Sequence, residues 1–442
     1  MRRVTVVITL LAVLVLVLFA GCGKSSKKST TSTTASPVNL TIWVGWSARE
    51  LGIFKSVVAD YETSHPNVKV KVVGSVNDDK IIAAIHSGDV PDVVSSFTSA
   101  NVGNYCSTGA WIDLAPLLKK SNLTANEFPK ASQYYTQFDG TRCALPLLAD
   151  SYGFYYNKTL FAKAGITGPP KTMSELVADA KKLTVRDASG NLKVVGYNPF
   201  FGFYSGNMPD MEQYAPLFGA KYVDSSGKSI LGKDPQWAKF LNWQKAFVDW
   251  YGYKNLVKFN ATAADEFSAS NAFETGKLAM MGDGEWRVAF IASEHPELKY
   301  GTAPMPVDDA HPELYGAGTI NGTIIGIPKG VKNEDAAWDL LKYLTFDTHA
   351  LAKFSNGIRN VPTTPASRKS PELKPDPNFA TFLEIFANPN SGTTPITVAG
   401  NQWGTLVLAF TTNWQAGEIS NLAEALNKVD TQIDNQNAQA TG

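Results

Sequence analysis

The sequence predicts an α/β protein with more than one domain. Three observations point there. Apolar patterns between Leu40 and Val94 alternate strand, helix, strand, helix, strand. A second unit of strand and helix begins near Asp150. The 442 residues are also more than one core of about 100–200 residues holds, so two or three domains are expected.

Leu40 to Val44 is a short apolar strand. Ser47 and Glu50 stand three apart, as in a capping box, and Leu51, Phe54, Val58 and Tyr61 recur at helical spacing up to Pro66. Val68, Val70 and Val72 alternate with Lys69 and Lys71, which reads as a strand. Ile81 to His86 continues as helix, and Val90 to Val94 opens a buried strand. This order implies a largely parallel sheet with helices on both faces. In the second unit Gly153 to Tyr156 is strand-like, and Thr172 with Glu175 forms another capping box before the stripe Leu176, Val177, Ala180, Leu183. Asp234-Pro235 starts a long helix with Asp as cap and Pro at the first helical position. Its stripe, Trp237, Phe240, Leu241, Gln244, Phe247, Val248 and Tyr251, reads as core. Asn333 is placed to cap a helix carrying Trp338, Leu341 and Leu344.

Composition excludes some partners. Lys+Arg and Asp+Glu are both 40, which is no footprint for nucleic acid or an anionic membrane surface. Hydrophobic residues at 44% and charged residues at 18% mark a globular chain. Met1-Arg2-Arg3, the apolar run Val4 to Ala20 and the small residues before Cys22 describe an export signal over 1–21. Phe19-Ala20-Gly21-Cys22 resembles the lipobox of bacterial lipoproteins, with Phe19 where that motif favours Leu; the resemblance implies acylation of Cys22. The alternative is an uncleaved membrane anchor. Both put the remainder outside the cytoplasm, at the outer face of the cell membrane. Residues 22–37, rich in Ser, Thr and Lys, read as a flexible tether. Cys106 and Cys143 remain, as a candidate disulfide in an oxidising compartment or as two buried thiols. No metal or cofactor motif occurs, and the five His are scattered.

Several segments, in order, resemble the extracellular solute-binding proteins of sugar ABC importers, the group containing maltose-binding protein. Ser87-Gly88-Asp89-Val90-Pro91-Asp92-Val93 is similar to its "SGxxPDV". Gly109 to Leu114 fits "GA-aromatic-x-DL", and Tyr155 to Thr172 matches "YYNKxLFxKAGIxxPPKT". Thr275 to Met281 with Gly284-Glu285-Trp286 looks like "GKxAM…GxW", and Ile327 to Trp338 like "IPKGxxN…AAW". The resemblance implies two discontinuous lobes, 38–149 with 319–356 and 150–318 with 357–442, joined by a three-crossing hinge. It also implies a sugar or oligosaccharide held between the lobes, delivery to membrane permease subunits, and a monomer.

A sugar has apolar faces and a rim of hydroxyls, so aromatics and Asp, Asn or Glu at strand ends are the candidates. Trp46 follows the first strand, and Phe97 and Asn101 follow the strand ending near Ser95. By resemblance, Asp150 stands at the first crossing, Glu285 and Trp286 in the "GxW" segment, and Asn321 in a Gly-rich crossing that lets ligand reach the backbone. Trp403 precedes the C-terminal helix, and Tyr204 lies in a Gly- and aromatic-rich stretch. Each has a plain alternative as core. Rival functions are a glycosidase using Asp150, Asp283 and Glu285, and a binder of glycerol phosphate, peptide or polyamine, for which Arg49, Arg142 and Arg287 stand near candidate loops. A sensory or adhesive role on the same fold is a third.

Overall fold

The computed structural model describes residues 37–200, 214–263, 266–374 and 376–441. The leader, Cys22, most of the tether and Tyr204 lie outside the described residues.

Among the described residues nine strands form one sheet: β1 (Val38–Trp43), β2 (Val68–Val73), β3 (Val93–Ser96), β4 (Leu145–Asn157), β5 (Val185–Arg186), β6 (Leu192–Tyr197), β7 (Leu278–Gly284), β8 (Tyr300–Ala303) and β9 (Ile320–Gly326). The order is β2-β1-β3-β9-β4-β7-β6-β5, with β8 also on β4. The first three strands are parallel, linked by helices α1 (Ala48–Ser64) and α2 (Asp78–Ser87). β2 is the edge strand, and its exposed Lys69 and Lys71 discourage further pairing.

The expectation of a largely parallel sheet is corrected beyond that point. β9 is antiparallel to both β3 and β4, and β4 is antiparallel to β7 and β8. The cause is β4. Its 13 residues, at ~3.3 Å each, reach across ~43 Å. The first half pairs with β9, from Leu145 opposite Ile325 to Ser151 opposite Ile320; the second pairs with β7, from Tyr152 opposite Gly284 to Tyr156 opposite Met280. One strand thus serves both halves of the molecule, where the sequence pattern had suggested a fresh strand after Asp150.

Two cores follow from this layout. Leu40, Ile42, Phe54, Tyr61, Trp338 and Phe354 pack one face of β1–β3 under α1 and the helices Glu334–Phe346 and Thr348–Ile358. The larger core holds the stripe of helix Pro235–Tyr251, the Met280–Met281 pair and Phe382, and extends to Ile81 and Tyr105 on the other face of β1–β3.

Local signals hold unevenly. The Thr172 and Glu175 capping box is present in both directions, and Asp234 accepts from the Gln236 N–H. Ser47 and Asn333 sit at N-cap positions without side-chain capping bonds. At Ser47 the next residue, Ala48, has φ 42, and Glu50, half-buried, acts on Asp150 through its charge, with no side-chain capping bond formed at Ser47.

Cys106, on α3 (Val102–Ser107), is bonded to Cys143, with Cα atoms 5.3 Å apart and a sequence separation of 37. Closing a loop of that size stabilises by about 3–4 kcal/mol. Urea unfolding of the Cys106→Ser, Cys143→Ser protein should show that loss, and an unchanged midpoint would refute it.

Candidate functional site

β4 changes partners between Ser151 and Tyr152, one residue after Asp150. Asp150 lies opposite Asn321 of β9. A third passage of chain arrives after helix Thr348–Ile358, which ends at Arg359 in the left-handed region, φ 67. There Ala149 and Val361 exchange backbone hydrogen bonds of 2.9 Å each way, and Asn360 Nδ2 donates to Asp150 Oδ1. Three passages therefore meet around one carboxylate.

Glu285 follows β7 directly. Its Oε2 accepts from the Ser151 N–H at 2.7 Å, while its Oε1, fully buried, has no hydrogen-bond partner. Burial pushes the Glu285 carboxyl well above the usual range, and the neighbouring Asp150 adds to it. Burial raises Asp150 to about 7 against the Asn360 hydrogen bond, with the charge of Glu50 contributing. Burial also raises Glu50, opposed by Arg49. These three carboxylates come from α1, β4 and the end of β7.

A raised folded-state pKa means that the structure favours protonated Asp150. Its stabilising contribution is complete below about pH 3.9, the ordinary Asp value, and is lost as pH rises through about 7. The melting temperature of the wild type should therefore fall from pH 5 to pH 8 more steeply than that of Asp150→Asn. Parallel curves would contradict this.

The adjacent charges form a network of their own. Buried Arg287 bonds Asp283 at 2.7 Å and Glu274 at 2.9 Å, and lies 3.5 Å from Glu266. Burial works against its charge, but the three carboxylates outweigh it and hold the guanidinium protonated. Glu266 Oε1 also accepts from Trp286 Nε1 at 3.0 Å, and the Trp286 ring stands edge-on to Tyr152 at 5.6 Å. The "GxW" pattern has a steric reason: a Cβ on Gly284 would lie 2.1 Å from the Trp286 ring.

The aromatic candidates divide. Trp46 is 4% exposed and packs among Phe54, Phe354 and Phe97. Phe97 is 47% exposed and closes over Gly45. Trp286 and Trp403 are buried; Trp403 stands edge-on to Tyr222, and its Nε1 has no hydrogen-bond partner. Asn101 lies apart from Asp150, its Oδ1 accepting from the Asn401 N–H at the start of helix Gln402–Ala416. It faces a cavity of about 710 Å³ shared with Asp78, His86, Asn104, Lys329 and Asn401, and Asp150 does not line that cavity. Asn321 is partly buried and accepts from Thr393 Oγ1 at 3.1 Å. A Cβ on Gly322 would meet the Leu148 carbonyl at 2.6 Å and Tyr135 Oη at 2.7 Å, so that glycine serves strand packing.

Sequence reasoning missed Glu50, read as a helix cap, and Asn360, which carried no motif. Of the three arginines noted for an anionic ligand, Arg287 is committed to carboxylates and Arg142 to Thr136, Gln137 and the Gln133 carbonyl. Arg49 donates to the Gly357 carbonyl and lies over the Phe290 ring, with Nη2 buried and unpartnered.

The two-lobe α/β architecture recurs in known proteins. A relative in Deinococcus radiodurans, named a probable ABC transporter-binding protein, is 28% identical over 308 residues, 68% of this chain and 69% of that one. The maltotriose-binding protein of Pyrococcus abyssi is 22% identical over 341 residues, 76% of this chain and 69% of that one. The solved structure of CpMnBP1 with mannotriose bound superposes with a TM-score of 0.78 at 27% identity, covering 89% of this chain and 99% of that one. The family described as bacterial extracellular solute-binding protein matches residues 56–381. This chain belongs to that family.

Proposed function

We propose that this chain is the solute-capturing lipoprotein of an ABC importer, and that its solute is a sugar or oligosaccharide. Residues 1–21 are removed on export, Cys22 is acylated, and the 22–37 tether lets the body reach permease subunits in the same membrane. Lobe one is 38–149 with 319–356, and lobe two is 150–318 with 357–442. The lobes close on ligand because the closed state binds it more tightly.

The observation that carries this reading is the meeting of three chain passages around Asp150, where β4 passes from one half of the sheet to the other. A hinge of that kind gathers polar groups at the place where two lobes approach, and clefts between domains are preferred ligand sites. Asp150, Glu285, Asn321 and Asn360 suit a rim of hydroxyls, while Phe97, Trp286 and Trp403 suit sugar faces. The saccharides named for the relatives, maltotriose and mannotriose, support the same class. The carboxylates serve recognition, and the chain is not an enzyme.

The test is a thermal-shift screen of the purified protein against neutral and amino mono- and oligosaccharides. A ligand at 100 times its dissociation constant should stabilise by ~2.7 kcal/mol. Silence across all sugars with a response to a phosphorylated or peptide solute would overturn the substrate class.

A further inference from the structure

Among the described residues no cation forms an ion pair with Asp150, Glu285 or Glu50. Glu285 accepts from the Ser151 N–H, next to Asp150, and is fully buried with Oε1 unpartnered, while Glu50 on α1 acts on Asp150 through its charge. Arg49, beside Glu50, opposes the rise of that carboxyl without forming an ion pair with it. Arg287 is shared by Glu266, Glu274 and Asp283, and Arg49 is held on the Gly357 carbonyl and the Phe290 face. The remaining neighbours, Asn360, Ser151 N–H and Tyr135, are neutral. Carboxylates this close-set, with no ion-paired cation and one oxygen of Glu285 buried and unpartnered, favour either protons or a bound cation. Asp150 is only partly buried, so a ligand can reach it.

We propose that the saccharide taken by this site carries a protonated amine, an amino sugar, with its ammonium seated against Asp150 and flanked by Glu50 and Glu285. This rests on the reading of the cleft as a sugar site. The ammonium supplies the missing positive charge and three donors to acceptors that are short of them. It displaces protons from the carboxyls on binding, so uptake of an amino sugar releases protons at pH 7.

The experiment is isothermal titration of the purified protein with matched sugars differing only at C2: amine, hydroxyl or N-acetyl, in the gluco, galacto and manno series. The amine should bind roughly tenfold or more tightly than both partners in at least one series, as expected for a charged hydrogen bond against a neutral one. Titration in buffers of different ionisation enthalpy should show net proton release. The preference should fall below about threefold in Glu285→Gln and, should that variant misfold, in Glu50→Gln. Hydroxyl or N-acetyl sugars binding as tightly as the amine would overturn this inference and leave the sugar reading intact. Failure of every sugar would overturn both.

Discussion

Arg287→Met is expected to destabilise the fold by about 3–5 kcal/mol, the loss typical when one partner of a buried ion network is removed. Arg287 is fully buried and is the cation among Glu266, Glu274 and Asp283. Without it three carboxylates must take up protons or water. The damage also reaches the site, because Glu266 accepts from the Trp286 indole and Trp286 stands between Glu285 and Arg287 in sequence. Urea denaturation measures the loss. Adding Glu266→Gln, Glu274→Gln and Asp283→Asn should restore much of it, since neutral polar partners carry a smaller burial cost. A single-variant loss below about 1 kcal/mol, the range of surface pairs, would mean that the network does not depend on the arginine.

Asp150→Asn is expected to move affinity and stability in opposite directions. The amide keeps the shape of the side chain but gives up a charged acceptor, so affinity for a bound sugar should fall by roughly tenfold to a hundredfold. Stability at pH 8 should rise, because a carboxyl that folding prefers protonated is removed. Titration calorimetry and thermal melting on the same preparation read both. A residue that only braced the hinge would lose stability along with affinity, and that joint loss would contradict a binding role.

Much of the fold was legible where periodicity is local. The stripe of helix Pro235–Tyr251 is buried residue for residue, and the Thr172 capping box forms, because both depend on neighbours within one helix. Strand direction beyond β3 was not legible. It depends on β9, which arrives from more than 200 residues away, and on the uninterrupted run of β4 through Asp150. The site shows the same division. The candidates Asp150, Asn321, Glu285 and Trp286, chosen from sequence, lie beside one crossing in the structure. Glu50 was hidden because a Ser and a Glu three apart satisfy the pattern of a cap whether or not the cap forms. Asn360 was hidden because its role arises from a tertiary approach to Ala149 and Asp150.

The most direct test of the account is hydrogen–deuterium exchange of the protein with and without the tightest-binding saccharide of the screen. The account predicts that protection appears together at residues 46–50, 97–101, 149–152, 284–287 and 358–361, the passages that converge on Asp150 and the loops beside them. Protection confined elsewhere, as at the groove formed by Asn191, Lys193, Lys258 and Lys277, with none at the crossing, would contradict it.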